Sequence, residues 1–183
     1  FFRLRMLRAV RRCVCFGRAK SHTSISSATL WGCASIASTV ISPRIFDEFV
    51  APYDSELIAL AHEAGQRIVY HTCGGMMPLL ERIADMGPDA METFTPPEMG
   101  GDVDLAEAKK RIGDRVCLLG NLDDMEVIDR VDGETIERLA EECILAAGPD
   151  GYCLGGTTSG TFTEHAAENF LRMVEVSKRM AAG

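Results

Sequence analysis

The sequence predicts an α/β fold built from parallel βα units, and two observations support this prediction. Four short apolar runs alternate strictly with segments in which the apolar residues have helical spacing. Each run is apolar at consecutive positions, as expected for strands whose two faces are both covered. This alternation is typical of parallel sheets, because a parallel connection needs a long crossover that is usually a helix.

The elements can be placed in order along the chain. The first predicted helix begins at Ser42-Pro43, a capping residue followed by proline at the first helical position, and ends at Gly65. The predicted strands cover residues 68–72, 89–94, 115–120 and 151–156, and the remaining predicted helices cover 79–87, 104–112, 134–147 and 163–180. No glycine-rich nucleotide fingerprint follows any of these strands. Because a (β/α)₈ barrel needs eight units and about 250 residues, the chain is either roughly the second half of a barrel or a doubly wound sheet.

Residues 1–39 differ from the rest of the chain. They are rich in arginine and then in serine and threonine, and the first acidic residue is Asp47. This composition resembles a mitochondrial transit peptide, and residues 4–10 could form a basic amphipathic turn that favours a membrane surface. We favour a third interpretation, that the segment is not native coding sequence, because the chain starts at Phe1 and the composition changes abruptly near Thr39. The family domain is therefore expected to span residues 40–183.

Composition excludes several classes of function. The formal net charge is −8, and all 27 acidic residues lie from Asp47 onward, which disfavours binding to nucleic acid. No run of 18 apolar residues is present, so we expect no transmembrane helix. Seven cysteines without framework spacing predict a reduced, cytoplasmic protein.

Polar side chains collect at the carboxyl ends of the four predicted strands, where ligands bind in parallel β/α folds. Any one of them is better explained as a cap or turn residue, but four successive polar strand ends favour a functional site. The candidates are His71, Cys73, Glu92, Thr93, Asn121, Asp123, Thr157, Thr158 and Ser159.

His71 and Cys73 are the strongest of these candidates. Residues i and i+2 of a strand point to the same face, so their side chains project together. An imidazole beside a thiolate suits a soft divalent metal such as zinc, and Gly74-Gly75 allows a sharp turn and the close approach of a ligand. The alternative is a core histidine hydrogen-bonded to the backbone beside a buried free cysteine.

The other candidates extend this site. Glu92 could be a ligand, a general base or the partner of a metal-bound histidine. Cys153 is the natural third soft ligand, although its side chain leaves the core face if Leu154 points into the core. Asn121 and Asp123 are candidate catalytic residues at the end of the third predicted strand.

Several stretches in the correct order resemble the C-terminal half of the uroporphyrinogen decarboxylase superfamily. They are ISPRIF at 41–46, VYHTCG at 69–74, VDLAEAK at 103–109, VCLLGNLD at 116–123 and the pair Glu168-Asn169. The resemblance implies a TIM-type (β/α)₈ barrel, of which this chain holds about the last four βα units.

The resemblance implies one of two reactions. One branch of the superfamily decarboxylates the acetate side chains of uroporphyrinogen without a cofactor, and the other uses zinc to move a methyl group between a corrinoid and a thiol. The His-x-Cys of His71 and Cys73 is similar to the zinc motif of the methyltransferases. Their further cysteine after the last strand corresponds to Thr158 or Ser159 here, and Cys153 lies five or six residues earlier. The decarboxylases' arginine-rich loop and catalytic aspartate belong to the N-terminal half, and the histidine that follows their last strand has no counterpart here.

Three hypotheses follow. The first is zinc-dependent methyl transfer, with His71 and Cys73 as zinc ligands, Glu92 or Cys153 as the third ligand, and a methylated corrinoid and a thiol as substrates. The second is cofactor-independent decarboxylation of a porphyrinogen, in which Asn121 contacts propionates and His71 is polar lining. The third is a non-catalytic half-barrel that pairs with another chain. In each case we expect the isolated chain to need a second half-barrel or to form a homo-oligomer, and to be inactive alone, because a half-barrel leaves strand edges unpaired.

Overall fold

The fold is a single parallel sheet with its helices in one layer, as seen in a computed structural model that describes residues 28–157 and 163–181. The five strands lie in the sheet in the order in which they occur in the chain, and each pair is parallel. They are β1 (Ala28–Gly32), β2 (Arg67–His71), β3 (Ala90–Thr93), β4 (Cys117–Leu122) and β5 (Tyr152–Gly156).

Helices connect these strands in the way the sequence predicts. They are α1 (Pro43–Phe49), α2 (Ala51–Glu63), α3 (Leu80–Asp85), α4 (Leu105–Ile112), α5 (Gly133–Ala147) and α6 (Glu164–Ala181). Consecutive parallel strands joined by right-handed crossovers place all the helices on one face of the sheet. The predicted parallel α/β architecture is therefore confirmed, and it is that of part of a (β/α)₈ barrel.

The core lies between the sheet and the helix layer. Alternate strand residues such as Tyr70, Met91 and Leu118 are fully buried there against helix residues such as Phe46 and Leu80. The residues between them in the strands face the other side, which is the concave interior of a barrel and is only partly covered here. This inner face carries the candidate site.

The sheet starts earlier than the boundary expected near Thr39. Strand β1 lies upstream of that boundary and pairs with β2 over five residues, from Ala28 opposite Arg67 to Gly32 opposite His71. The strand is short and lies in a serine- and threonine-rich stretch, so its composition gives little strand signal. The interpretations offered for residues 1–27 lie outside the described residues.

The helix expected from Ser42 to Gly65 is divided into α1 and α2 at Val50, whose φ is −118° and ψ is −59°. The break has a local cause in Pro52, which has no amide hydrogen to donate to the carbonyl of Glu48 and whose ring would clash with that carbonyl in a continuous helix. The predicted start is confirmed, since the Ser42 hydroxyl accepts a hydrogen bond from the amide of Ile45 at 3.3 Å. No helix within residues 28–157 and 163–181 is long and apolar enough to cross a membrane.

Candidate functional site

Four residues form a row across the inner face near the carboxyl ends of the strands. In the register of the sheet, His71 lies opposite Glu92, Glu92 opposite Leu119, and Leu119 opposite Cys153. The row therefore brings the imidazole and the carboxylate onto adjacent strands. It separates both from the Cys153 thiol by the apolar side chain of Leu119.

A line of hydrogen bonds joins Cys73, His71 and Glu92. The Nδ1 atom of His71 lies 2.9 Å from Oε1 of Glu92, and its Nε2 atom lies 3.4 Å from the Sγ atom of Cys73. An ionised carboxylate can only accept, so Nδ1 carries the proton and Nε2 presents its lone pair to the sulfur. The side chains of His71 and Glu92 are 21% and 13% exposed, which leaves the pair accessible from the inner face. The structure thus brings His71, Cys73 and Glu92 together at the carboxyl ends of β2 and β3.

Threonine side chains hold the turn that follows His71. The Thr93 hydroxyl donates to the carbonyl of Thr72 at 3.0 Å and lies 3.0 Å from the Thr95 hydroxyl, which in turn accepts from the amide of Gly74 at 3.1 Å. Gly74 has φ +76°, a conformation that glycine adopts without steric cost. These bonds fix the position of Cys73 relative to the imidazole.

Asp102 holds the same turn from its other side and was missed by the sequence analysis. One of its carboxylate oxygens accepts from the amides of Met76 and Met77, at 2.7 and 3.1 Å. The residue lies in the loop before α4, far from the turn in sequence, so only the fold reveals the contact. In the sequence, the one indication of such a contact was that an aspartate directly follows Gly100-Gly101.

In the chain alone, the surroundings of Cys73 favour its neutral thiol form over the charged thiolate. Burial is the main cause that raises its pKa, the hydroxyl of Thr93 opposes this, and the nearby Glu92 and Cys33 raise the pKa further. A cationic group near the sulfur would reverse the effect of these neighbours, because it stabilises the thiolate.

The geometry of the pair fits two positions of a zinc coordination shell. Zinc bonds of about 2.0 Å to nitrogen and 2.3 Å to sulfur at a tetrahedral angle separate the two donor atoms by about 3.5 Å, and the Nε2–Sγ distance here is 3.4 Å. The carboxylate of Glu92 lies on Nδ1, the nitrogen remote from Cys73. It therefore occupies the place of the carboxylate that orients a metal-bound histidine.

The structure does not bring Cys153 to this pair. It lies three strands from His71 in the row, which corresponds to about 14 Å at the usual strand spacing. Within residues 28–157 and 163–181, no group of three histidine, cysteine, aspartate or glutamate side chains is arranged to hold a metal. Thr158 and Ser159 lie outside the described residues.

Asn121 and Asp123 have contacts within the fold. The Oδ1 atom of Asn121 accepts from the Sγ atom of Cys143 on α5, with 3.7 Å between the two atoms, so this side chain contacts the helix layer. The carboxylate of Asp123 is 5% exposed and accepts from the amides of Met125 and Glu126 at 2.7 and 2.9 Å. It caps the helical turn that follows β4.

Fold and site together define part of a β/α-barrel protein with its polar residues at the strand ends. The family model for uroporphyrinogen decarboxylase (URO-D) matches residues 27–180. The chain belongs to the uroporphyrinogen decarboxylase family, as the sequence motifs predict.

Curated relatives carry the same family name. The chain is 35% identical over 86 residues to a uroporphyrinogen decarboxylase of Chlorobaculum tepidum, covering 46% of this chain and 23% of the relative. It is 28% identical over 147 residues to that of Trichodesmium erythraeum, covering 77% of this chain and 39% of the relative. The chain thus spans well under half the length of these relatives.

A solved structure shares the fold. A methyltransferase from Methanosarcina mazei superposes with a TM-score of 0.68 at 18% sequence identity, over 84% of this chain and 42% of the methyltransferase. At this identity the match is evidence for the barrel fold.

Proposed function

We propose that the complete protein is a zinc-dependent methyltransferase of this family that moves a methyl group between a corrinoid and a thiol. The observation that carries the proposal is the line from Cys73 through His71 to Glu92, with Nε2 and Sγ 3.4 Å apart. His71 and Cys73 would hold the metal. Bound zinc would supply a Lewis acid that keeps a substrate thiol in its nucleophilic thiolate form.

Each residue of the line has a separate role in this proposal. Glu92 accepts a hydrogen bond from Nδ1–H, which fixes the ring and raises the basicity of Nε2. Cys73 would hold the metal as a thiolate, so metal binding would be coupled to the release of its thiol proton to solvent. The threonine contacts of the turn keep Sγ and Nε2 on the same side, so little conformational entropy is lost when both atoms become ligands.

The inner face determines how a substrate would reach these atoms. Val69 and Leu119, two half-buried apolar residues, flank the line on the concave side. A thiol substrate approaching from this side would therefore meet apolar side chains beside the polar ones. The remaining walls of the site would come from outside the described residues.

Decarboxylation of a porphyrinogen is the second candidate. It is favoured by the names of the curated relatives, several of which are 33–38% identical over segments of 86–89 residues. In this case His71 and Glu92 would line the substrate pocket without a metal, and substitution of Cys73 would have little effect.

Metal content distinguishes the two candidates. The protein is purified without added metal, and zinc per chain is measured for the wild type, Cys73→Ser and the control Cys153→Ser. Circular dichroism establishes that each sample is folded. We expect zinc in the wild type and in Cys153→Ser but not in Cys73→Ser, because Cys153 lies three strands from the pair.

Substitution of cobalt for zinc gives a second readout. A cobalt–thiolate charge-transfer absorption that is absent from Cys73→Ser would show that the sulfur is a ligand. Folded wild-type protein with neither zinc nor this absorption contradicts the methyltransferase proposal. Porphyrinogen binding to the same sample then tests the decarboxylase alternative.

A further inference from the structure

The chain turns directly after Cys73, through Gly74 and Gly75, at the point where the proposed metal site needs a fixed geometry. Glycine has no side chain to restrict its backbone, so it loses more conformational freedom on folding than any other residue. The position of Cys73 relative to His71 therefore depends on contacts that hold this turn from outside. Residues 74–77, which we call the turn segment, receive such contacts from three parts of the chain.

Two of these parts are loops. The amide of Ser38, in the segment that follows β1, donates to the carbonyl of Gly75 at 2.8 Å. In the loop that follows β3, Thr95 and Asp102 accept hydrogen bonds from three amides of the turn segment. These contacts join the turn segment to other loops, but they do not join it to the helix layer.

Arg111 supplies the contact from the helix layer. It lies on α4, and its Nη2 atom donates to the carbonyl of Met77 at 2.8 Å. The amide of the same Met77 donates to Asp102 at 3.1 Å. Both backbone polar groups of Met77 are thus held by charged side chains, a carboxylate on the amide and a guanidinium on the carbonyl. Hydrogen bonds with one charged partner are about twice as strong as those between neutral groups.

Glu81 on α3 holds the guanidinium in place. Its two carboxylate oxygens accept from Nε and Nη2 of Arg111 at 2.6 and 2.5 Å, which is a bidentate pair. These hydrogen bonds lower the pKa of Glu81 below its ordinary value, so the carboxylate stays charged. Nη2 therefore bonds both to Glu81 and to the carbonyl of Met77. A lysine cannot reproduce this arrangement, because its ammonium group is a single point charge on a flexible stem.

A second ion pair between the same two parts of the helix layer provides a comparison. Arg115, which follows α4, lies with its Nη1 atom 2.5 Å from Oδ1 of Asp85, the last residue of α3. Within the described residues, Arg115 makes no hydrogen bond to the turn segment. The two arginines thus make similar ion pairs, and only Arg111 also contacts the turn that carries Cys73.

We propose that Arg111 is a positioning residue of the metal site, which fixes the turn segment from the helix layer and so holds the Cys73 sulfur beside the His71 imidazole. In this role Arg111 touches neither the metal nor a substrate, and it acts through Met77. The proposal rests on the metal-dependent function proposed above. The order of the turn segment can nevertheless be measured without a metal.

Hydrogen exchange in the metal-free chain is the first test. Peptides that cover the turn segment and β4 are compared by mass spectrometry in the wild type, Arg111→Lys and Arg115→Lys. We expect the turn segment of Arg111→Lys to exchange several-fold faster than that of the wild type, while its β4 peptide is unchanged. Arg115→Lys should match the wild type in both peptides. Glu81→Gln, which weakens the bidentate pair, should give a smaller increase in the turn segment.

Two results of this experiment would overturn the proposal. One is equal exchange of the turn segment in the wild type and Arg111→Lys. The other is exchange that rises equally in the turn segment and in β4, because Arg111 would then stabilise the whole fold and have no particular effect on the turn. Glu81→Gln applies the same two criteria if Arg111→Lys does not fold.

Cobalt binding is the second test, and it measures the metal site itself. Each protein is titrated with Co²⁺, and the cobalt–thiolate absorption gives the dissociation constant. We expect the affinity to fall about tenfold in Arg111→Lys and to stay unchanged in Arg115→Lys, with similar melting temperatures in the two variants. A lower melting temperature of Arg111→Lys with unchanged cobalt affinity would show a merely structural role and overturn the proposal.

The cobalt titration also separates this proposal from the function on which it rests. A folded wild type that binds no cobalt overturns the proposed function and, with it, the role of Arg111 at a metal site. An Arg111→Lys variant that binds cobalt as tightly as the wild type overturns the role of Arg111 alone.

Discussion

Glu92 lies directly opposite His71 on the neighbouring parallel strand, and its Oε1 atom is 2.9 Å from Nδ1 of the imidazole. The contact depends on the register of the two strands as much as on the types of the two side chains. A displacement of one residue between the two strands would turn the carboxylate to the helix face.

This relationship predicts the effect of Glu92→Gln on metal binding. The amide keeps the size of the side chain but removes the charge that orients His71 and supports the basicity of Nε2. We expect zinc affinity to fall about 10–100-fold, measured by competition with a chromophoric chelator, while the melting temperature changes little. Glu98→Gln, at an exposed loop position, is the control and should leave zinc affinity unchanged. Equal affinities in both variants would show that Glu92 does not act on the metal site.

Asp102 is predicted to stabilise the turn after Cys73. In Asp102→Ala the amides of Met76 and Met77 lose their acceptor, so the free energy of unfolding should fall by about 1–3 kcal/mol. Urea denaturation followed by circular dichroism measures this loss. Asp114→Ala removes a carboxylate at an exposed position and should change the free energy by less than about 0.5 kcal/mol. A loss no larger than in this control would contradict the role assigned to Asp102.

Adjacent glycines at the end of β5 should differ sharply in their tolerance of a methyl group. A Cβ atom on Gly156 would lie 1.7 Å from a carboxylate oxygen of the buried Asp124, whereas one on Gly155 has no heavy atom within 4 Å. Gly156→Ala should therefore destabilise the protein by about 1–3 kcal/mol or more, and Gly155→Ala should be close to neutral. Thermal unfolding of the pair measures the difference. Equal melting temperatures would mean that Asp124 can move away freely.

Asp89 is predicted to make folding stability dependent on pH. Burial raises the pKa of its carboxyl group, but the amide of Ile68 and the side chains of His62 and Arg67 together outweigh burial and hold the pKa below its ordinary value. The hydrogen bonds to Ile68 and His62 are 2.8 and 2.9 Å long, and Arg67 is 2.5 Å away. A carboxyl group whose pKa is lowered in the folded state contributes stability above its unfolded pKa of about 3.9. This contribution is lost as the pH falls through the folded pKa.

The measurement for Asp89 compares unfolding free energies of the wild type and Asp89→Asn in urea. We expect the wild type to be more stable at pH 7 and at pH 5, and the difference to shrink steadily below about pH 4. Asp114→Asn should show no such change. If the difference in unfolding free energy between the wild type and Asp89→Asn grew as the pH fell, its sign would contradict the prediction. It would show that burial affects the pKa of Asp89 more than its hydrogen bonds do.

The local pattern of apolar and polar residues predicted most of the fold. Strands β2 to β5 lie within two residues of their expected bounds, because a strand covered by helices needs an apolar run that is visible in sequence. Strand periodicity also predicts that His71 and Cys73 project together. For Glu92 the sequence left three roles open, namely ligand, general base and partner of a histidine. Ser42 and Asp104 were identifiable as helix caps from residue type alone.

Features that depend on tertiary structure were not predictable. The separation of Cys153 from His71 follows from the strand order and register. The positions of these residues in the sequence do not give that register. Asp102 reaches its turn through a loop, and β1 lies beside a serine- and threonine-rich stretch that obscures its short apolar run. Pro52 was visible in sequence, but its effect on the helix depended on whether the chain could bend at Val50.

The consecutive order of the strands has a consequence for folding. Among residues 28–157 and 163–181, each strand pairs only with its neighbours in the chain, so none of these pairings has to wait for a distant segment to arrive. The loop closed at each step is one helical crossover, and the entropy lost in closing it changes little from one unit to the next. The sheet can therefore grow from any internal pair outward, as repeat proteins do.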